Sequence, residues 1–193
     1  MWTNKPSLDK LEKQAKKLSK DSFFTNIIFI FAAKYKNIPL QRIMENSENS
    51  IELQIAAVLS DIRKKGFSSM QPFSIGKVEE RMIQFAQDNA IVLASDELYM
   101  SAKQLQHSMR ASKINKGLVV DDADLIGFPQ NRFQMELYYD GECFIYTDGI
   151  SKFIVHPNYQ MKVSREVVKL VNFITATRRT DKKEFNGKRY VKI

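Results

Sequence analysis

Two Asp-Gly dipeptides, Asp140-Gly141 and Asp148-Gly149, stand between short runs rich in aromatic and β-branched residues. Asp-Gly tolerates the positive φ of tight hairpin turns, so these dipeptides are the strongest constraint the chain places on its own fold. The runs around them, Gln134 to Tyr139, Cys143 to Thr147, Lys152 to His156 and Val167 to Thr177, read as strands of an antiparallel meander. Pro157 cannot donate to a ladder and marks an edge strand or a bulge.

The first half has a different texture. Leu8, Leu11, Ala15 and Leu18 recur at helical spacing among lysines, and Phe23 to Lys36 is an apolar helix expected to be buried or to dock a partner. Ser50 to Lys65 carries an apolar stripe and ends at Gly66, a helix C-cap, and Ser74 to Asn89 reads as a further helix. Ser101 caps a helix running to about Lys113, and Asp121-Asp122 opens a short one ended by Gly127-Phe128-Pro129. The expected class is α+β: a basic helical module over 1–89, then 90–193 with helices packed on a small antiparallel meander and a basic tail.

Composition excludes several classes. With one cysteine, Cys143, and two histidines the chain has neither a disulfide framework nor a cysteine zinc site. The longest apolar run, Ile27 to Ala33, is far short of the roughly 20 residues a membrane span needs. No phosphate-binding glycine loop, nucleophile elbow or zinc-protease motif occurs, so no cofactor or metal is expected, and the acids at 121–124 read as a helix start. No signal peptide is read at Met1, so a cytoplasmic chain in a reducing compartment is expected. Net charge is +8 but uneven: residues 160–193 hold 10 Lys/Arg against 3 Asp/Glu. Such a tail attracts polyanions, nucleic acid first, through counterion release.

Within Lys103 to Arg110, helical spacing puts Lys103, His107 and Arg110 on one face, away from Ala102, Leu105 and Met109. An imidazole can move a proton near neutral pH and a guanidinium can hold a phosphate with two parallel hydrogen bonds, half of what phosphodiester cleavage needs. The alternative is a solvated helix face.

Residues from about 96 to 185 resemble the phage-type ribonuclease-like domains related to barnase, EndoU, colicin nuclease and RelE folds. The resemblance runs in order through the Met100–Arg110 helix, Lys116-Gly117, the acidic helix from Asp121 to Pro129, Tyr139-Asp140, Phe144-Ile145-Tyr146, the strand from Phe153 into Asn158-Tyr159-Gln160, and Val171 to Ala176. It implies metal-independent RNA cleavage by attack of the ribose 2′-OH. His107 would carry the proton, Arg110 would stabilise the phosphorane, Thr175 or Thr177 would hydrogen-bond a phosphate oxygen, and His156 would supply the opposite acid/base role. Lys103, Asn158, Tyr159, Arg178 and Arg179 would hold RNA. Gln160 stands where the family carries Lys, which favours the alternative: a non-enzymatic module binding nucleic acid or a partner, as an inhibitor or a virion-associated factor. A toxin, a virion protein and a host-takeover factor all fit this reading, located in the cytoplasm or the virion. RNA is the expected partner, with a protein partner for the N-terminal module and no membrane.

Overall fold

The computed structural model of the protein describes residues 51–162, 168–187 and 189–193. The Lys-rich N-terminal helix, the Phe23–Lys36 helix and its docking role therefore lie outside the described residues. The chain divides into two compact units, 1–56 and 57–193, and the second holds all the strands described. Helix α1, Ile51–Lys65, crosses the division and ends as expected at Gly66, whose φ of +80° lets its N–H reach the Ile62 carbonyl at 2.8 Å.

In order follow β1 (Phe73–Lys77), α2 (Glu80–Asp88), β2 (Glu97–Met100), α3 (Ala102–Ser108), α4 (Ala111–Ile114), α5 (Asp122–Asn131) and a 3-10 turn (Arg132–Gln134). Then come β3 (Glu136–Tyr139), β4 (Phe144–Thr147), β5 (Ser151–Lys162), β6 (Val168–Arg179), a second 3-10 turn (Lys182–Asn186) and β7 (Val191–Lys192). The strands form one sheet of order β1-β2-β6-β5-β4-β3-β7, antiparallel except for the parallel pair β2–β6. The α+β class and the meander stand. The meander occupies the middle of a larger mixed sheet.

Both Asp-Gly turns form, with Gly141 at φ +97° and Gly149 at φ +86°. They are longer than two-residue hairpins because the aspartates organise them: Asp140 Oδ1 accepts from the N–H of Glu142 and Cys143, and Asp148 Oδ1 from those of Ile150 and Ser151.

Three expectations are corrected. The helix read over Ser74–Asn89 is β1 followed by α2: Gly76 at φ +112° cannot be helical, and Phe73 and Ser74 pair with Met100 and Tyr99 of β2. Residues before 89 thus share the sheet of those after it, and the module read over 1–89 is not all helix. The helix read from Ser101 to Lys113 begins as expected, with Ser101 Oγ accepting from the Gln104 N–H at 3.2 Å, but breaks after Ser108. There Ser108 Oγ donates to the Gln104 carbonyl, competing with the helical ladder, and Arg110 turns extended at φ −62°, ψ 150°. Finally, α5 continues through Pro129 to Asn131. Phe128, stacked on Phe153 at 3.8 Å and edge-on to Tyr146, holds the chain helical past the proline.

These ring contacts define a helical face of the sheet. Phe128 of α5 and Phe85 of α2 pack on Tyr139, Phe144, Tyr146 and Phe153, and Leu137, Phe144, Tyr146, Phe153, Val155 and Ile174 are buried. Arg132, itself buried, finishes the β1 edge by donating to the carbonyls of Ile75 and Lys77, which no further strand is needed to satisfy.

Candidate nucleic-acid interface

The opposite face is built differently. Alternation puts Lys152, Ile154 and His156 of β5 on it. Over Ile154, Ile145 and Tyr138 lies a C-terminal strap, made of the second 3-10 turn and the residues leading to β7. Phe185 stacks on Tyr138 at 4.8 Å and Tyr190 packs against Phe185. Glu184 fastens the strap, accepting from Thr180 Oγ at 2.6 Å, from the Tyr190 hydroxyl at 3.1 Å and from the buried ammonium of Lys152. Burial pushes the Glu184 carboxyl up, but the hydrogen bonds from Lys152, Thr180 and Tyr190 outweigh it and hold it at about 2. Burial lowers the Lys152 ammonium, against the pull of Glu184.

Beyond His156 the sheet narrows to a ribbon. β4 stops pairing with β5 at Val155 and β2 meets β6 only at Asn172 and Phe173, so residues 157–162 and 168–171 pair only with each other among the described residues. A bulge at Pro157-Asn158 marks the root, with Pro157 where the ladder is interrupted and Asn158 at φ +57°. On the strap-side face of the ribbon, Tyr159 stacks on the buried Phe173 with centroids 4.9 Å apart and planes at 17° and is itself 38% exposed, beside the buried Met161 and Val171. His156 meets Tyr159 edge-on at 5.9 Å. Beside them Lys169 donates to the Tyr99 hydroxyl at 2.9 Å with its ammonium 4.7 Å from the ring centroid, and Tyr99 donates to Glu97 at 2.7 Å. The hydrogen bond from Lys169 to Tyr99 raises the lysine further, which keeps it cationic.

His156 has a defined orientation. Its Nδ1 lies 2.6 Å from the Pro157 carbonyl, which only accepts, so Nδ1 carries the proton and Nε2 faces Glu142 Oε1 at 3.6 Å. Burial, aided by Asp140 and Glu142, pushes the thiol of the nearby Cys143 up to about 12, which disfavours its thiolate form.

Of the residues singled out from sequence, the fold gathers His156, Asn158 and Tyr159 at the ribbon root. Lys103, His107 and Arg110 are exposed on α3 and at the start of α4, with the Arg110 N–H 3.4 Å from the His107 carbonyl. Thr175 and Thr177 do not join His156. Thr175 is the extra residue of a second bulge, between the pairs Val155–Ile174 and Ile154–Ala176, and donates to the Ile154 carbonyl at 3.3 Å. That single insertion shifts the alternation, so Thr177 pairs with Phe153 on the helical face and is buried. The arginines are engaged: Arg178 lies 3.6 Å from Glu184, and Arg179 binds Asp121 Oδ2 at 2.5 Å and the Val119 carbonyl. The acids at 121–124 are likewise consumed, Asp122 by two bonds from Arg63 and Asp124 by Ser151, and no group of three metal-ligating side chains occurs among the described residues. No described helix is long and apolar enough to cross a membrane.

Sequence reasoning missed Tyr99, Lys169 and Glu142. The first two meet only because β2 runs parallel beside β6, and no local pattern announces a pairing over some seventy residues. No protein-family model, curated protein or solved structure matches the chain, so what the ribbon does has to be read from its own geometry.

Proposed function

We propose that the chain binds single-stranded RNA, and that the root of the β5–β6 ribbon is where bases stack. The observation that carries this reading is the Tyr159–Phe173 stack, in which the exposed Tyr159 ring is held against a buried one with a histidine and a lysine nearby. Aromatic faces accept any base, and nearby cations follow the phosphates. Titration of a labelled single-stranded oligonucleotide with the full chain tests it. Tyr159→Ala should weaken binding about tenfold or more, the scale of about 1–3 kcal/mol per stacked base. Equal affinity for wild type and variant, or equal affinity for duplex and single strand, would reject the platform.

A second reading, metal-independent cleavage of the bound RNA, is favoured by the oriented His156 with the Glu142 carboxylate beside it. An imidazole that can gain or lose its proton at Nε2 is the group such chemistry requires. Cleavage in chelator, yielding cyclic-phosphate ends and abolished by His156→Ala, would establish it. Loss in His107→Ala instead would assign the chemistry to α3, and no cleavage by wild type leaves a binding module.

A further inference from the structure

The C-terminal strap turns its one strong acid inward. Glu184 is spent on buried Lys152, Thr180 and Tyr190, and Asp181 caps the 3-10 turn by accepting from the Lys183 N–H at 2.9 Å. Beside the exposed Asp181, the strap shows three cations to solvent: Lys182, Lys183 and Arg189 are exposed, and none forms an ion pair with a described residue. The strap is also fixed in place, since the Lys182 chain lies over Gly149, where a Cβ would collide with it, and Phe185 and Tyr190 are packed on the sheet.

Its position matters as much as its charge. Ile154, beneath the strap, and His156, at the ribbon root, are successive same-face residues of β5, about 7 Å apart along the strand. The cationic strap and the aromatic platform are therefore neighbours on one face of one sheet.

We infer that the strap is a phosphate-binding track continuous with the ribbon platform: the RNA backbone runs over Lys182, Lys183 and Arg189 while a base stacks on Tyr159. This rests on the RNA-binding reading above and adds to it a second, separately testable half-site. Phosphate contacts made by exposed cations release counterions, so the strap should set the salt dependence of binding, and the platform the affinity that salt does not remove.

The test measures binding of the full chain to a labelled oligouridylate of about 12 nucleotides across a salt series. The variant Lys182→Gln/Lys183→Gln/Arg189→Gln should lower the slope of log affinity against log salt by about 2, at roughly 0.7 per single-strand phosphate contact, and weaken binding about tenfold or more at low salt. Tyr159→Ala should weaken binding with the slope unchanged. If the triple variant is thermally destabilised, Lys183→Gln/Arg189→Gln leaves Lys182 over Gly149 and should lower the slope by about 1.4. An unchanged slope with Tyr159→Ala still damaging rejects the track and leaves the platform standing. A lowered slope with Tyr159→Ala harmless rejects the platform, and with it the joint site. Absence of wild-type binding, or preference for anionic lipid vesicles over the oligonucleotide, overturns both.

Discussion

The helical face and the strap face of the sheet are both largely covered, but by different physics. On the helical face α2 and α5 bury rings against rings, and few charges are involved beyond the Arg81–Glu79 pair near the α2 start. On the strap face a short segment without an α-helix is held by two aromatic residues and the Glu184 ion pairs with Lys152 and Arg178, and beyond His156 Met161, Val171 and Phe173 are buried while Tyr159 stays exposed. Apolar packing carries no proton to titrate and is insensitive to pH, whereas a carboxylate hub is not. The first face holds the fold together, while the second presents groups that can meet a ligand.

The sharpest way to break this comparison is Phe128→Ala. Phe128 is fully buried, stacked on Phe153 and edge-on to Tyr146, so truncation leaves a cavity in the helical face. Denaturant unfolding should show a loss of about 3–5 kcal/mol, with RNA affinity of the folded protein unchanged. A matching loss of affinity under native conditions would mean that the two faces are coupled.

The strap supplies the next largest effect. Glu184→Gln leaves Lys152 with an amide oxygen in place of a carboxylate and should cost about 2–3 kcal/mol, less than the 3–5 of removing a buried partner outright, because the amide still accepts. The pH dependence separates the two faces. The Glu184 carboxyl lies below its ordinary 4.5, at about 2 when folded, so its stabilisation is complete above about 4.5 and is lost as pH falls toward 2. Wild type should lose stability across that window, Phe128→Ala should lose it in parallel, and Glu184→Gln should have a flatter profile. Parallel wild-type and Glu184→Gln profiles would show that the strap is held by its rings alone.

The two faces also differed in how far the sequence disclosed them. Asp140-Gly141, Asp148-Gly149 and the aromatic and β-branched runs Cys143 to Thr147 and Lys152 to His156 are local signals, and the meander they announce is present. Ser101 and Gly66 announce helix ends for the same reason. β1 and β2 are four or five residues long and exist through their partners, so by spacing alone Ser74 to Lys77 reads as the start of a helix. The site fared likewise. His156, Asn158 and Tyr159 are singled out in the sequence only through the resemblance, and the bulge at Thr175 is invisible to alternation and sends Thr177 to the helical face. The strap was visible only as charge, because its inward carboxylate and outward lysines are sorted by packing rather than by spacing.

The smallest effect concerns the point where the strap face gives way to the ribbon. Asn158 holds φ +57° in the bulge beside Pro157, a conformation Asn tolerates and a β-branched residue does not. Asn158→Gly should leave stability within a few tenths of a kcal/mol, since glycine enters that region freely. Asn158→Val should cost about 1–2 kcal/mol if the bulge is kept. Otherwise it would shift the register of the ribbon and move Tyr159 off Phe173. Thermal unfolding of the two variants measures the first possibility, and their RNA affinity measures the second. If the bulge serves to aim Tyr159, Asn158→Gly binds like wild type and Asn158→Val binds more weakly than its stability loss accounts for. Should both variants match wild type in stability and binding alike, the left-handed turn at the root is not what sets the platform.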